Sequence, residues 1–149
     1  MSEHIYKQHN KTLLLYHIAF PAKYRRSVFS IAVEETLQKV CQGISERYEI
    51  RFLEIGTDED HVHFLVQSVP NLSITRIVTL IKSITARHIF KRHPEVKKEL
   101  WGGNLWTSGY YANTVGSHGV EDVIQQYVQE QGQKYKKIFS QQLSLLDMV

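Results

Sequence analysis

Apolar and polar residues follow two different patterns along this chain. Short apolar runs, alternating with polar residues in places, are typical of strands and occupy four segments: 12–20, 50–57, 61–69 and 105–115. Apolar residues spaced three and four apart are typical of helices and occupy three segments: 28–48, 73–92 and about 119–139. The chain therefore predicts the order strand, helix, strand, strand, helix, strand, followed by an extra helix.

This βαββαβ order predicts a ferredoxin-like (RRM-like) α+β fold, an antiparallel sheet with helices on one face. The acidic segment 58–60 indicates a hairpin turn between the second and third strands. Ser73 is expected to cap the second helix, and His93-Pro94 to end it. Because this fold occurs in RNA-binding modules, sensors and nucleases, function must be argued from a site.

The composition fits a single domain over residues 1–149, with 42% hydrophobic and 22% charged residues. The single cysteine, Cys41, excludes an internal disulfide framework and a cysteine-rich zinc site. The longest apolar run, residues 13–20, is too short to span a bilayer, and no small-residue cleavage site follows it. We therefore expect a cytoplasmic protein without a membrane partner. The net charge of +3 permits nucleic-acid binding without requiring it.

Two histidines, His61 and His63, project from the same face of a predicted central strand just after the acidic turn. Chance alone produces such a pattern roughly 0.2 times in a chain of this composition, so two incidental strand histidines remain an alternative. A metal site needs at least one more ligand. Tyr127 and Gln131, four residues apart, would share one face of the last helix, although they also suit a core tyrosine and a surface glutamine.

Taken together, these four residues suit attack on a phosphodiester. A cation between the histidines and the Gln131 amide would polarise a non-bridging phosphate oxygen, and it would favour the phenolate form of Tyr127. Attack on phosphorus would join DNA covalently to that tyrosine. Imidazole is a poor Mg²⁺ ligand, so the set suits Mn²⁺ better. Asp58 or Asp60 can supplement the charge, although both also suit an ordinary turn.

Five blocks of the chain are informative in their order and spacing: LLLYHIAFPAKYRR, DHVHFLVQ, SITRIVTLIKSITARHIF, LWGGNLWTSGYYANTVG and VIQQYVQEQ. Together they resemble the HUH-superfamily single-tyrosine transposases (TnpA type) of small bacterial and archaeal insertion sequences, which move as single-stranded DNA. The resemblance implies that His61, His63 and Gln131 hold Mg²⁺ or Mn²⁺ and that Tyr127 is the nucleophile. It also implies a 5′-phosphotyrosine intermediate, a released 3′-hydroxyl and no need for ATP.

Similar proteins are homodimers in which the helix carrying the tyrosine packs over the partner's histidines, making composite active sites. The resemblance thus implies that the helix at about 119–139 is mobile or packed on a partner subunit, and Gly132 is consistent with this. Two alternatives stay open. One is a non-catalytic ferredoxin-like nucleic-acid-binding module with incidental histidines, and the other is a nuclease of the replication-initiator or relaxase type.

Members of this family bind imperfect DNA hairpins near the ends of their elements. Arg76, Arg87 and Lys91 fall on one side of the second helix, with Lys82 and Arg92 nearby, and are expected to contact hairpin phosphates. A solvated helix face is the alternative. The aromatic residues Trp101, Trp106, Tyr110 and Tyr111 can stack on extrahelical bases, although a small sheet needs most of them in its core.

Overall fold

The computed structural model of the protein describes residues 4–116 and 136–140. Its elements are β1 (Ile5–Lys7), β2 (Asn10–Thr12), β3 (Leu14–Pro21), α1 (Ile31–Arg47), β4 (Arg51–Thr57), β5 (His61–Ser68), α2 (Ile74–Arg92), α3 (Pro94–Glu99), β6 (Tyr111–Val115) and β7 (Lys136–Ser140). The predicted α+β class is confirmed. Within the described ranges, no helix has the length and apolar character needed to span a membrane.

Five strands form one antiparallel sheet in the order β6-β3-β5-β4-β7. The strand that opens with the two histidines, β5, lies at its centre, as predicted. From β3 to β6 the elements follow the predicted βαββαβ order, with the short helix α3 added before the last strand. Within the part of the chain that the structure describes, the first two strands pair with each other alone, in a small hairpin whose three-residue strands are too short to give a periodic signal.

The two faces of the sheet have different surroundings. One face packs under α1 and α2 in the main core, where Phe20 and Phe64 of the sheet are buried with Leu37 and Ile81 of the helices. The other face carries a small apolar cluster whose buried members are Leu15, Leu53, Leu65 and Val115. Among the described residues, no helix packs on this second face. The sheet therefore separates a helical side from an opposite side on which the histidines lie.

Serine caps set where both long helices begin. Ser73 Oγ accepts from the Arg76 amide at 3.0 Å, so the predicted start of α2 is confirmed. The first helix was predicted from residue 28, but it begins at Ile31 because Ser30 Oγ accepts from the Val33 amide at 3.2 Å. Such caps contribute about 1 kcal/mol each.

The strand predicted over residues 105–115 is wrong in its first half, since β6 begins only at Tyr111. Trp106 is buried in the main core and its indole N–H donates to Thr85 Oγ1 at 3.0 Å. The ammonium of Lys82 donates to the carbonyls of Thr107 and Gly109, both at 2.8 Å. These contacts with α2 hold the backbone as a loop and override its apolar, aromatic composition.

The prediction of a helix at about 119–139 is wrong from residue 136 onward. Residues 117–135, with Tyr127 and Gln131, lie outside the described part of the chain. Lys136–Ser140 is a strand that pairs antiparallel with β4. Phe139 packs partly buried against the main core, and Lys137 Nζ lies 3.3 Å from Glu54 Oε1. Pairing with the exposed edge of β4 satisfies this backbone, so sheet contacts decide its conformation.

Candidate metal centre

Strand pairing places His61 and His63 on the side of the sheet away from the helices. In the ladder between β3 and β5, Pro21 faces His61 and Ala19 faces His63. The intervening Val62 points into the main core, so alternation along the strand sends both rings to the opposite side. His63 is buried and His61 is partly exposed. The prediction that the two rings share one face is confirmed by this alternation.

A carboxylate from the hairpin turn joins the two histidines. One ligand atom each from Asp58, His61 and His63 lie within 4.8 Å of one another. His61 Nε2 is 3.6 Å from Asp58 Oδ2, and the turn is closed by the Asp58 amide, which donates to the His61 carbonyl at 2.9 Å. The cluster offers two nitrogens and a carboxylate oxygen, a donor set that divalent cations use.

The neighbouring carboxylate, Asp60, orients His61 rather than joining the donor set. His61 Nδ1 lies 2.8 Å from Asp60 Oδ1, and Arg25 Nε donates to Asp60 Oδ2 at 2.8 Å. Partial burial works to raise the pKa of Asp60, but the hydrogen bonds from His61 and Arg25 outweigh it, so the pKa lies below its ordinary value. An ionised carboxylate only accepts hydrogen bonds, so His61 donates to Asp60 through Nδ1, and Nε2 is the ring nitrogen that lies 3.6 Å from Asp58.

A third histidine, His17, contacts His63 from β3. Its Nε2 is 3.4 Å from His63 Nδ1, the ring planes differ by 16° and the centroids are 5.6 Å apart. This centroid distance nearly equals the nitrogen–nitrogen distance plus one ring radius on each side, so the rings meet edge to edge in one plane. One nitrogen therefore donates to the other. The sequence analysis missed this role because it requires the register that brings His17 diagonally across from His63.

Burial keeps this histidine pair neutral. It lowers the pKa of His17 to about 4. Burial, followed by repulsion from His61 and His17, lowers the pKa of His63 to about 3. A neutral imidazole can bind a cation without first losing a proton.

The low pKa values predict that acid destabilises the protein. Below the unfolded-state value of 6.5, the unfolded chain binds protons that folded His17 and His63 take up only near pH 4 and pH 3. The free energy of unfolding in chelator should therefore fall from about pH 7 to about pH 5, by at most about 1.4 kcal/mol per pH unit for each histidine. In urea titrations, His17→Gln should show a smaller fall, whereas the exposed-site control His88→Gln should match the wild type. Equal falls in all three would contradict this assignment.

The basic residues predicted to bind DNA do not all line one groove. Arg87 and Arg92 line a groove of about 290 Å³ between α1 and α2, together with Lys39, Arg47 and His88. Its described lining contains no carboxylate. Arg76 and Lys91 are exposed on α2 but do not line this groove. Lys82 instead donates hydrogen bonds to the loop before β6, and burial lowers the pKa of its ammonium.

Most of the four aromatic residues considered for base stacking were expected in the core, but most are exposed. Only Trp106 is buried in the core, whereas Trp101, Tyr110 and Tyr111 are exposed. The ring of Tyr111 lies 5.4 Å from that of His17, so it borders the metal centre.

Fold and site together define an α+β domain that carries a histidine and aspartate donor set on the sheet face away from its helices. The family model described as Transposase IS200 like matches residues 10–131. The ISDra2 transposase TnpA of Deinococcus radiodurans is 33% identical over 121 residues, which cover 81% of this chain and 86% of that protein. The transposase for insertion sequence element IS200 of Salmonella typhimurium is 27% identical over 137 residues, 92% of this chain and 88% of that protein.

Solved structures of other proteins share the fold, and two of them are informative. A Deinococcus radiodurans R1 protein described as a transposase superposes with a TM-score of 0.70 at 30% identity, covering 85% of this chain and 97% of that one. A REP-associated tyrosine transposase bound to a REP hairpin gives 0.54 at 10% identity, covering 87% and 72%. The chain belongs to the IS200-like transposase family, which confirms the resemblance found in the sequence blocks. It is thus a transposase, an enzyme class that cuts and transfers DNA strands.

Proposed function

We propose that this transposase cleaves and rejoins single-stranded DNA at insertion-sequence ends, using Tyr127 as the nucleophile. The observation that carries the proposal is the cluster of Asp58, His61 and His63 on the open side of the sheet. Its occurrence in a chain of the IS200-like family favours an enzyme over a binding module with incidental histidines. Gln131 is proposed as a further ligand, and the helix carrying Tyr127 is proposed to complete the site within a homodimer.

The donor set fits a divalent cation. Two imidazole nitrogens and one carboxylate favour Mn²⁺ over Mg²⁺, since Mg²⁺ prefers oxygen ligands, and the Asp58 carboxylate provides an oxygen donor that either ion can use. A bound cation would polarise a phosphoryl oxygen and stabilise negative charge at phosphorus.

Bond formation and bond cleavage at phosphorus are assigned to the Tyr127 side chain and the DNA. The Tyr127 oxygen, having lost its proton, attacks phosphorus as the bond from phosphorus to the 3′-oxygen breaks. The 5′-phosphate is then esterified to tyrosine, and the 3′-oxygen leaves as a hydroxyl after taking up a proton. Rejoining is the reverse reaction with a different 3′-hydroxyl. One phosphodiester is exchanged for another, so no ATP is consumed.

The function is tested with a labelled single-stranded insertion-sequence end. Incubation with protein and Mn²⁺, followed by denaturation in detergent, should give a labelled species that migrates with the protein and is absent when chelator is added. Hairpin binding without any such adduct, with every divalent metal tried, would overturn the proposal and favour a binding module.

We further propose that the groove between α1 and α2 holds the phosphates of the hairpin. Arg87→Ala with Arg92→Ala should weaken hairpin binding and make the slope of log affinity against log salt shallower by up to about 2, because each lost phosphate contact removes about 0.9. The matched control pair, Arg76→Ala with Lys91→Ala, removes two exposed cations from the same helix outside the groove. Fluorescence anisotropy at several salt concentrations measures both. Equal losses in the two double variants would show that the groove has no special role.

A further inference from the structure

Backbone strain is concentrated where two loops meet beside the metal centre. In the described residues, the non-glycine positions with positive φ are Tyr24 (59°), Arg25 (52°) and Trp101 (53°). Tyr24 and Arg25 belong to the turn after β3, and Trp101 follows α3. This conformation is unfavourable for bulky side chains, which persist in it only where the surroundings impose it. The position just past a helix usually carries glycine, yet here Trp101 precedes Gly102.

The strained residues present two aromatic rings to solvent. Trp101 is 70% exposed and Tyr24 is 56% exposed. Their rings contact each other with centroids 5.1 Å apart at 75°, and we call this pair the aromatic platform. The Arg26 guanidinium lies 5.1 Å from the Trp101 ring, and the Lys23 ammonium lies 5.5 Å from the Tyr24 ring. The exposed rings are thus flanked by Lys23 and by Arg26, which also lies 3.4 Å from Glu99 Oε1, and such a surface suits unpaired bases and their phosphates.

Two hydrogen bonds connect the platform to the metal centre. Arg25, which follows Tyr24, donates through Nε to Asp60 at 2.8 Å, and Asp60 is in turn bonded to His61 Nδ1 at 2.8 Å. A backbone hydrogen bond also joins the turn after β3 to Asp60, since the Ala22 amide donates to the Asp60 carbonyl at 2.7 Å. The turn that exposes Tyr24 is therefore held in place by the residue that orients a metal ligand.

We propose that Tyr24 and Trp101 stack on an unpaired base of the DNA strand that enters the metal centre, while Lys23 and Arg26 face the adjoining phosphates. The inference rests on the proposed function, since it names how the single strand is held beside that site. It assigns to Trp101 a role distinct from hairpin recognition in the α1–α2 groove. Two aromatic side chains form too small a patch for a stable protein interface by themselves, so single-stranded DNA is the partner that the surface fits better.

Binding of an unstructured oligothymidylate, in chelator so that no cleavage occurs, tests the platform. Trp101→Ala and Tyr24→Ala should each weaken binding by about tenfold, the effect expected for loss of one base–aromatic stack. The matched control is Tyr6→Ala on the β1–β2 hairpin. Tyr6 is 70% exposed and has the Lys11 ammonium 5.3 Å from its ring, but none of the contacts to Asp60. This control should bind as the wild type does. Unchanged binding by Trp101→Ala would overturn the inference.

Fluorescence and stability separate stacking from a structural role. The chain has two tryptophans and Trp106 is 4% exposed, so oligothymidylate should quench the emission of Trp101. Trp101→Gly should weaken binding without lowering Tm, because glycine relieves the positive φ. A lower Tm for Trp101→Gly, an equal loss of affinity for a fully paired duplex, or a change in oligomeric state on sedimentation would each overturn the inference. Because binding is measured without cleavage, absence of the tyrosine adduct would count against the proposed function and leave the platform standing.

Discussion

Replacing Tyr127 with phenylalanine is expected to abolish the detergent-stable protein–DNA adduct while hairpin binding persists. The substitution removes one oxygen atom, the proposed nucleophile, and preserves the ring, so loss of the adduct should reach the detection limit. Hairpin affinity should stay within about twofold of the wild type, because the cations of the α1–α2 groove are unchanged. The measurements are adduct formation on a labelled single-stranded end with Mn²⁺ and anisotropy with the same hairpin.

The matched control for this experiment is Tyr111→Phe. Tyr111 is exposed, and its ring lies 5.4 Å from that of His17, so by position it is a rival nucleophile beside the metal centre. The Tyr111→Phe variant should still form the adduct. An adduct that survives in Tyr127→Phe and disappears in Tyr111→Phe would assign the nucleophile to β6 and refute the proposed mechanism.

Replacing His63 with alanine is expected to remove tight Mn²⁺ binding and to slow cleavage by about a thousandfold. The site would lose a neutral, buried nitrogen donor and keep only His61 and Asp58 among the described ligands. Polarisation of a phosphoryl oxygen by a metal lowers the activation free energy by several kcal/mol. Each lowering of about 1.4 kcal/mol corresponds to a factor of ten in rate. Titration of free Mn²⁺ by electron paramagnetic resonance and single-turnover cleavage give the two readouts.

The control for His63→Ala is His88→Ala, which removes an exposed histidine from α2 on the other side of the sheet. It should leave Mn²⁺ affinity unchanged. Because His63 is buried, the alanine variant will also lose stability, so both assays belong well below its measured Tm. Wild-type Mn²⁺ affinity in His63→Ala would show that the ion binds elsewhere.

Local patterns were sufficient for the central part of the fold. The alternation in β5 and the three- and four-residue spacing in α1 and α2 each reflect burial of one face. The positions of the apolar residues therefore indicate which face of each element is buried. The same alternation was enough to place His61 and His63 together.

Long-range contacts account for what the sequence did not predict. The loop before β6 is held by Lys82 and Thr85 of α2, and β7 forms because the edge of β4 is available for pairing. The edge-to-edge contact of His17 with His63 depends on strand register, which no local pattern encodes. Trp101 looks like a core residue by type, but it lies in a left-handed backbone conformation just past α3 and is 70% exposed.

The groove between the helices and the metal centre lie on opposite sides of one sheet, and this separation bears on how insertion sequences diversify. If the groove binds the hairpin as proposed, substitutions at Lys39, Arg47, Arg87 and Arg92 would change which DNA ends are recognised without touching Asp58, His61 or His63. Lineages could then acquire new end sequences while inheriting one unaltered reaction.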